Sequence, residues 1–108
     1  MRYEKFEIPV LITHNSIQEV TPRNGKVFSL EELQTMLEGP VQLITLPSGV
    51  QLWVNENGKT DELQKNGIAT LLWRIIWADK DIGADDYICG SALFTLPKYT
   101  EEETDLIN

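Results

Sequence analysis

Few residues in this chain have the types and spacing that chemistry requires. His14 and Cys89 are each the sole member of their kind. A Cys–His nucleophile pair needs the two side chains within hydrogen-bond reach, and nothing in the sequence brings them together. Cys89 lies between Ile88 and Gly90, without the cationic neighbours that depress a thiol pKa. It reads as a small buried hydrophobe. A single cysteine also excludes an intramolecular disulfide and any multi-thiolate zinc site.

The one stretch resembling a calcium loop is Asp79-Lys80-Asp81-Ile82-Gly83-Ala84-Asp85-Asp86. Loop positions 1 and 3 carry oxygen ligands, but position 5 is Gly83, position 6 is Ala84 in place of the turn glycine, and position 12 is Gly90 where a bidentate Glu is required. An EF-hand is therefore excluded, and the stretch reads as a solvated connector. Carboxylates are plentiful elsewhere, yet there is no G-x-S-x-G, no H-E-x-x-H and no phosphate-cradling glycine loop. The expectation is no enzyme, no cofactor and no metal. Asn55, Glu56, Lys59 and Asn66 fall on turns beside the core elements. They are assigned to turn formation and capping, with a ligand or partner site as the alternative.

The elements that must position these residues are more legible. Apolar runs at 41–46 and 50–55 flank Pro47-Ser48-Gly49 and predict a β-hairpin. Two registers compete. Pairing Leu46 with Val50, Ile44 with Leu52 and Gln42 with Val54 gives one nearly apolar face, whereas a one-residue slip mixes the faces. The first is preferred, and it sets Trp53 with Val41, Leu43, Thr45, Gln51 and Asn55 on the less protected side. Earlier in the chain, strands are predicted at 3–12, with Pro9 indicating an edge or a bend, and at 16–21, followed by the turn Pro22-Arg23-Asn24-Gly25. Ser29-Leu30-Glu31-Glu32 has capping-box form and opens a helix over 30–38, closed by Gly39-Pro40.

Beyond the hairpin, Asn55-Glu56-Asn57-Gly58 is a second turn, Thr60-Asp61 starts a short helical turn, and Asn66 caps a helix over 68–78. On a wheel only Thr70 and Arg74 form a polar stripe, while Ile68, Leu71, Leu72, Trp73, Ile75 and Ile76 cover most of the circumference. That exceeds the ~100° needed to pack on one sheet, so a second layer or a partner is expected over this helix. Trp77 borders the polar stripe and is the tryptophan expected to be part-exposed. A final strand is predicted at 87–95 with a bulge at Gly90. Thr100-Glu101-Glu102-Glu103 again has capping form, so the tail is expected either to close in a helical turn or to fray.

At 108 residues and 42% hydrophobic content, the chain is expected to be a single domain over 1–108 with a modest core. Nine basic against seventeen acidic residues give a net charge of −8. That balance disfavours direct nucleic-acid binding through phosphates. Half of the excess sits in residues 101–108 of the acidic tail 98–108, as Glu101, Glu102, Glu103 and Asp105. The start of the chain lacks the apolar stretch of a secretory leader, and no run approaches the ~20 residues that span a bilayer. A cytoplasmic protein with no membrane contact is the expectation.

Taken in order, residues 20–33 (Val-Thr-Pro-Arg-Asn-Gly-Lys-Val-Phe-Ser-Leu-Glu-Glu-Leu), the hairpin exit Val54-Asn55-Glu56-Asn57-Gly58-Lys59, Asn66 with Ala69-Thr70, and Asp86-Tyr87-Ile88-Cys89-Gly90-Ser91-Ala92-Leu93 resemble a family called domain of unknown function 3846. The likeness covers residues 17–95. It departs at Ser91, where an acidic residue is expected, and at Gln64-Lys65, in place of Leu-Pro. The resemblance implies a small protein associated with bacteria, phages, plasmids or conjugative elements, and it supplies no reaction.

The expected fold is α+β: a mainly antiparallel sheet of about four to five strands with two principal helices packed on it. The leading functional expectation is a non-enzymatic accessory or protein-interaction module of a mobile element, binding a protein or its own copy through Trp53, Trp73 or Trp77 and neighbouring apolar positions. Two alternatives stay open. One is an acidic DNA mimic that inhibits a defence enzyme; the other is a small-ligand binder or enzyme centred on Asn55, Glu56 and Asn66.

Overall fold

A computed structural model describes residues 8–46, 49–76 and 86–100, with no side-chain description for Ile76. Five strands, β1 (Val10–Ile12), β2 (Ile17–Glu19), β3 (Val41–Thr45), β4 (Gln51–Asn55) and β5 (Ala92–Thr95), form one sheet in the order β2-β1-β5-β4-β3. Every pairing is antiparallel. Helices α1 (Leu30–Leu37) and α2 (Gly67–Ile76) lie on opposite faces. The α+β expectation is met, and the layering is helix, sheet, helix.

The hairpin adopts the preferred register: Val41 opposes Asn55, Leu43 opposes Trp53 and Ile44 opposes Leu52. Leu46 N–H donates to Val50 O at 2.8 Å, and Gly49, with φ +91°, takes the left-handed turn position. Because side chains alternate along a strand, β4 contributes to two cores. Leu52 and Val54 join Ile12, Ala69, Trp73, Ile88, Ala92 and Phe94 on the α2 side. Trp53 joins Phe28, Leu33, Leu37 and Leu93 on the α1 side.

Helix α1 begins as expected. Ser29 Oγ accepts from Glu32 N–H at 3.1 Å, and Glu32 Oε1 accepts from Ser29 N–H at 2.9 Å. Glu32 Oε2 also accepts from Arg23 N–H at 2.7 Å, which ties the preceding turn to the helix. Burial pulls the Glu32 carboxyl up, but the Ser29 and Arg23 amides and the Ser29 hydroxyl outweigh it and hold it below the usual value. A carboxyl lowered by folding stabilises above its unfolded pKa, and that contribution is lost as pH falls through the folded pKa. Wild-type stability is therefore expected to decline on acidification from about pH 5 toward pH 3. Glu32→Gln should flatten that decline in urea titrations; an unchanged slope would show that the carboxylate contributes nothing there.

Several expectations are corrected. β1 is an interior strand between β2 and β5; Pro9 stands just before it, where its carbonyl accepts from Val20 N–H at 2.9 Å. The last strand is shorter than 87–95. Residues 86–90 leave the sheet and run along α2, with Cys89 bridging to Lys65 and Gly90, at φ +88°, donating to Gln64 O. The Thr70 and Arg74 stripe is not the solvent face of α2. Thr70 Oγ1 accepts from Ile88 N–H at 2.9 Å, and Arg74 Nη2 donates to Asp86 O. Solvent instead meets Ile68, Leu71 and Ile75, which are 38, 60 and 47% exposed. Residues 79–85 of the acidic loop, Trp77, the segment 1–7 and the tail 101–108 lie outside the described residues.

Candidate functional site

The polar turn residues divide into two pairs. Asn55 and Asn66 are buried and bonded to backbone. Asn55 Nδ2 donates to Leu37 O at 2.9 Å, closing the end of α1, and its Oδ1 accepts from Asn57 N–H at 2.7 Å. Asn66 Oδ1 caps α2 through Ala69 N–H at 3.0 Å. Its Nδ2 donates to Ile12 O at 2.8 Å and to Gly90 O at 2.9 Å. These are structural roles, and Asn66 lies outside the cleft described next.

Glu56 and Lys59 are exposed and sit on the rim of a cleft of about 360 Å³. One wall is the α2 side of the hairpin (Gln42, Ile44, Val54). The turn Glu56, Gly58, Lys59, Thr60 and the segment 86–89 close the sides, and Trp73 contributes from α2. The turn approaches residues 86–89 so closely that a Cβ on Gly58 would meet Cys89 O at 2.5 Å, so glycine is required there. Lys59 Nζ donates to Asp86 Oδ1 at 2.5 Å, and Lys59 and Lys65 both lie over the Tyr87 ring, at 4.6 and 4.4 Å from its centroid. The Lys59 bond, with a further bond from Tyr87 N–H, holds the Asp86 carboxyl below its usual value, and Asp86 in turn raises Lys59.

Trp73 is 7% exposed, and its Nε1–H is a buried donor without a partner among the described residues. Cys89 is buried on the cleft wall, while His14 lines a separate hollow with Gly90 and Ser91. Among the described residues no group of three or more His, Cys, Asp or Glu is gathered where a metal ion could be held. Among them also, no helix is long and apolar enough to cross a membrane.

Of the candidate contact tryptophans, Trp53 and Trp73 are both buried. Trp53 is fully buried beneath α1, with Nε1 donating to Gln51 Oε1 at 3.1 Å. Trp73 faces the sheet and the cleft. The sequence singles out Glu56 and Lys59, and Asp86 only as the end of the rejected calcium-like stretch; Gln42, Thr60 and Tyr87 carry no such signal, and only the fold brings these residues together. Sequence reasoning also names the tryptophans ahead of Ile68, Leu71 and Ile75, although the width of the apolar arc is the available signal.

A family model described as Domain of unknown function (DUF3846) matches residues 9–108. The chain belongs to that family. No curated protein and no solved structure matches it. Membership in DUF3846 extends the likeness read at residues 17–95 across nearly the whole chain, and leaves activity to be argued from the surface of this domain.

Proposed function

We propose that this DUF3846 domain is a non-enzymatic interaction module, associated with a mobile element, whose contact surface is the outward face of α2. The observation that carries this is the exposure of Ile68, Leu71 and Ile75 on one side of a helix whose polar residues are turned inward. At 100° per residue the three fall within an arc of about 60°. Burying such side chains contributes about 1.5–3 kcal/mol each when complete, enough to form the centre of an interface rather than random surface scatter. The occupant is a protein that offers a complementary apolar groove or helix. Leu71→Lys, which changes only a solvent-facing position, should abolish retention of that protein when purified domain and variant are compared on host extract with mass spectrometry. Equal retention by both would sink the assignment.

The cleft supports a second function. A buried indole N–H without a partner is costly unless an acceptor arrives, so a small ligand bringing a carbonyl or carboxylate to Trp73, with Glu56 and Lys59 at the rim, fits the walls. Imitation of DNA has less support, since Glu32 and Asp86 are committed to internal bonds.

A further inference from the structure

Among the described residues, the hairpin leaves one side of β3 unpaired at the end of the sheet. Leu46 N–H donates to Val50 O and Glu56 N–H donates to Pro40 O, so the bonded pairs with β4 fall at the even-numbered β3 positions. The antiparallel alternation then turns the N–H and C=O groups of Val41, Leu43 and Thr45 outward. A hollow of about 720 Å³ runs beside this edge, lined by Leu30 and Gln34 of α1 and by Val41, Leu43 and Thr45. Edge strands are ordinarily blunted by lysine, proline, a bulge or extreme shortness. β2, at the other end, has only three residues, all exposed. β3 has five residues, with no charge, proline or glycine among them.

We propose that two copies of the chain associate through β3, joining their sheets edge to edge around a twofold axis at Leu43. In this register each Leu43 opposes the other copy's Leu43, and each Val41 opposes the other copy's Thr45. All three levels are of the bonded type, so every outward amide and carbonyl finds a partner. The hollow beside α1 receives the apolar side chains from across the axis. Charge selects this direction for a chain of net charge −8. Glu38 and Glu56 are exposed and flank the Val41 end of the strand, and antiparallel pairing sends the two sets to opposite ends of the interface. A parallel arrangement would bring them together. The contact is independent of the α2 surface, which lies on the other face of the sheet.

Sedimentation equilibrium over roughly 1 µM to 1 mM tests this on the full chain. Wild type should show a concentration-dependent dimer. Thr45 is exposed and its N–H points away from β4, so Thr45→Pro removes an edge donor and spares the hairpin ladder. Thr45→Lys places a charge on the edge while keeping the N–H, and covers the case in which the proline variant does not fold. Each should raise the dissociation constant at least about tenfold, with Leu71→Lys dimerising like wild type. A wild type monomeric throughout, Thr45 variants that dimerise unchanged, or loss of the dimer in Leu71→Lys would each overturn the proposal.

Discussion

Replacement of Asn66 by Ala is expected to cost roughly 3–5 kcal/mol of folding stability, a large share of the ~5–15 kcal/mol typical of a domain. Three bonds meet at this fully buried amide: the cap to Ala69 N–H, and the donations to Ile12 O and Gly90 O. Alanine strands the buried Ile12 carbonyl, the part-buried Gly90 carbonyl and one helix N-terminal amide together. Asn66→Asp separates the roles, since it keeps the cap acceptor but sets a carboxyl where a double donor stood. Burial and the two facing carbonyls disfavour its ionised form, so its folded pKa rises above the unfolded value of about 3.9. A carboxyl raised by folding is best tolerated below that unfolded value and loses stability as pH climbs toward the folded one. The deficit of Asn66→Asp against wild type should therefore widen from pH 4 to pH 7, whereas that of Asn66→Ala should stay level. Urea unfolding at the two pH values reads both. A loss under about 1 kcal/mol in Asn66→Ala would mean that water replaces the amide.

Asn66 shows how far one sequence carries. Its cap was legible, because an Asn before an apolar helical run is a local signal. Its hold on Ile12, 54 residues away, was not, because nothing local encodes that partner. The same boundary runs through the fold. The hairpin register followed from period-two patterning, and the α1 start from the capping box, both short-range. The solvent side of α2 was misjudged because a wheel assigns polar residues to water. Here Thr70 and Arg74 supply bonds to residues 86–88, a segment whose backbone has left the sheet and must be satisfied elsewhere. The cleft was half legible: Glu56 and Lys59 sit on a turn that sequence marks, whereas Trp73, Asp86 and Tyr87 join them only through packing.

Trp53 is where the altered placement has the largest measurable consequence. A contact anchor can be truncated with little loss of stability, because its side chain is solvated in the free protein. Trp53 instead fills the space between α1 and the sheet, against Phe28, Leu33, Leu37 and Leu93, with no exposed surface. Trp53→Ala is accordingly expected to lose about 3–5 kcal/mol, from the lost transfer energy and the cavity left behind. Trp53→Phe keeps most of the volume but removes the bond to Gln51 Oε1, which also accepts from Thr100 Oγ1 at 2.8 Å. The acceptor thus retains a partner, and the loss should fall to about 1–2 kcal/mol. Far-UV circular dichroism in urea should therefore rank wild type above Trp53→Phe above Trp53→Ala. Association measured on folded Trp53→Phe should match wild type, because neither α2's outer face nor the outward backbone of β3 involves the indole. Reduced association with undiminished stability would return Trp53 to the surface and with it the α1 layer that covers it.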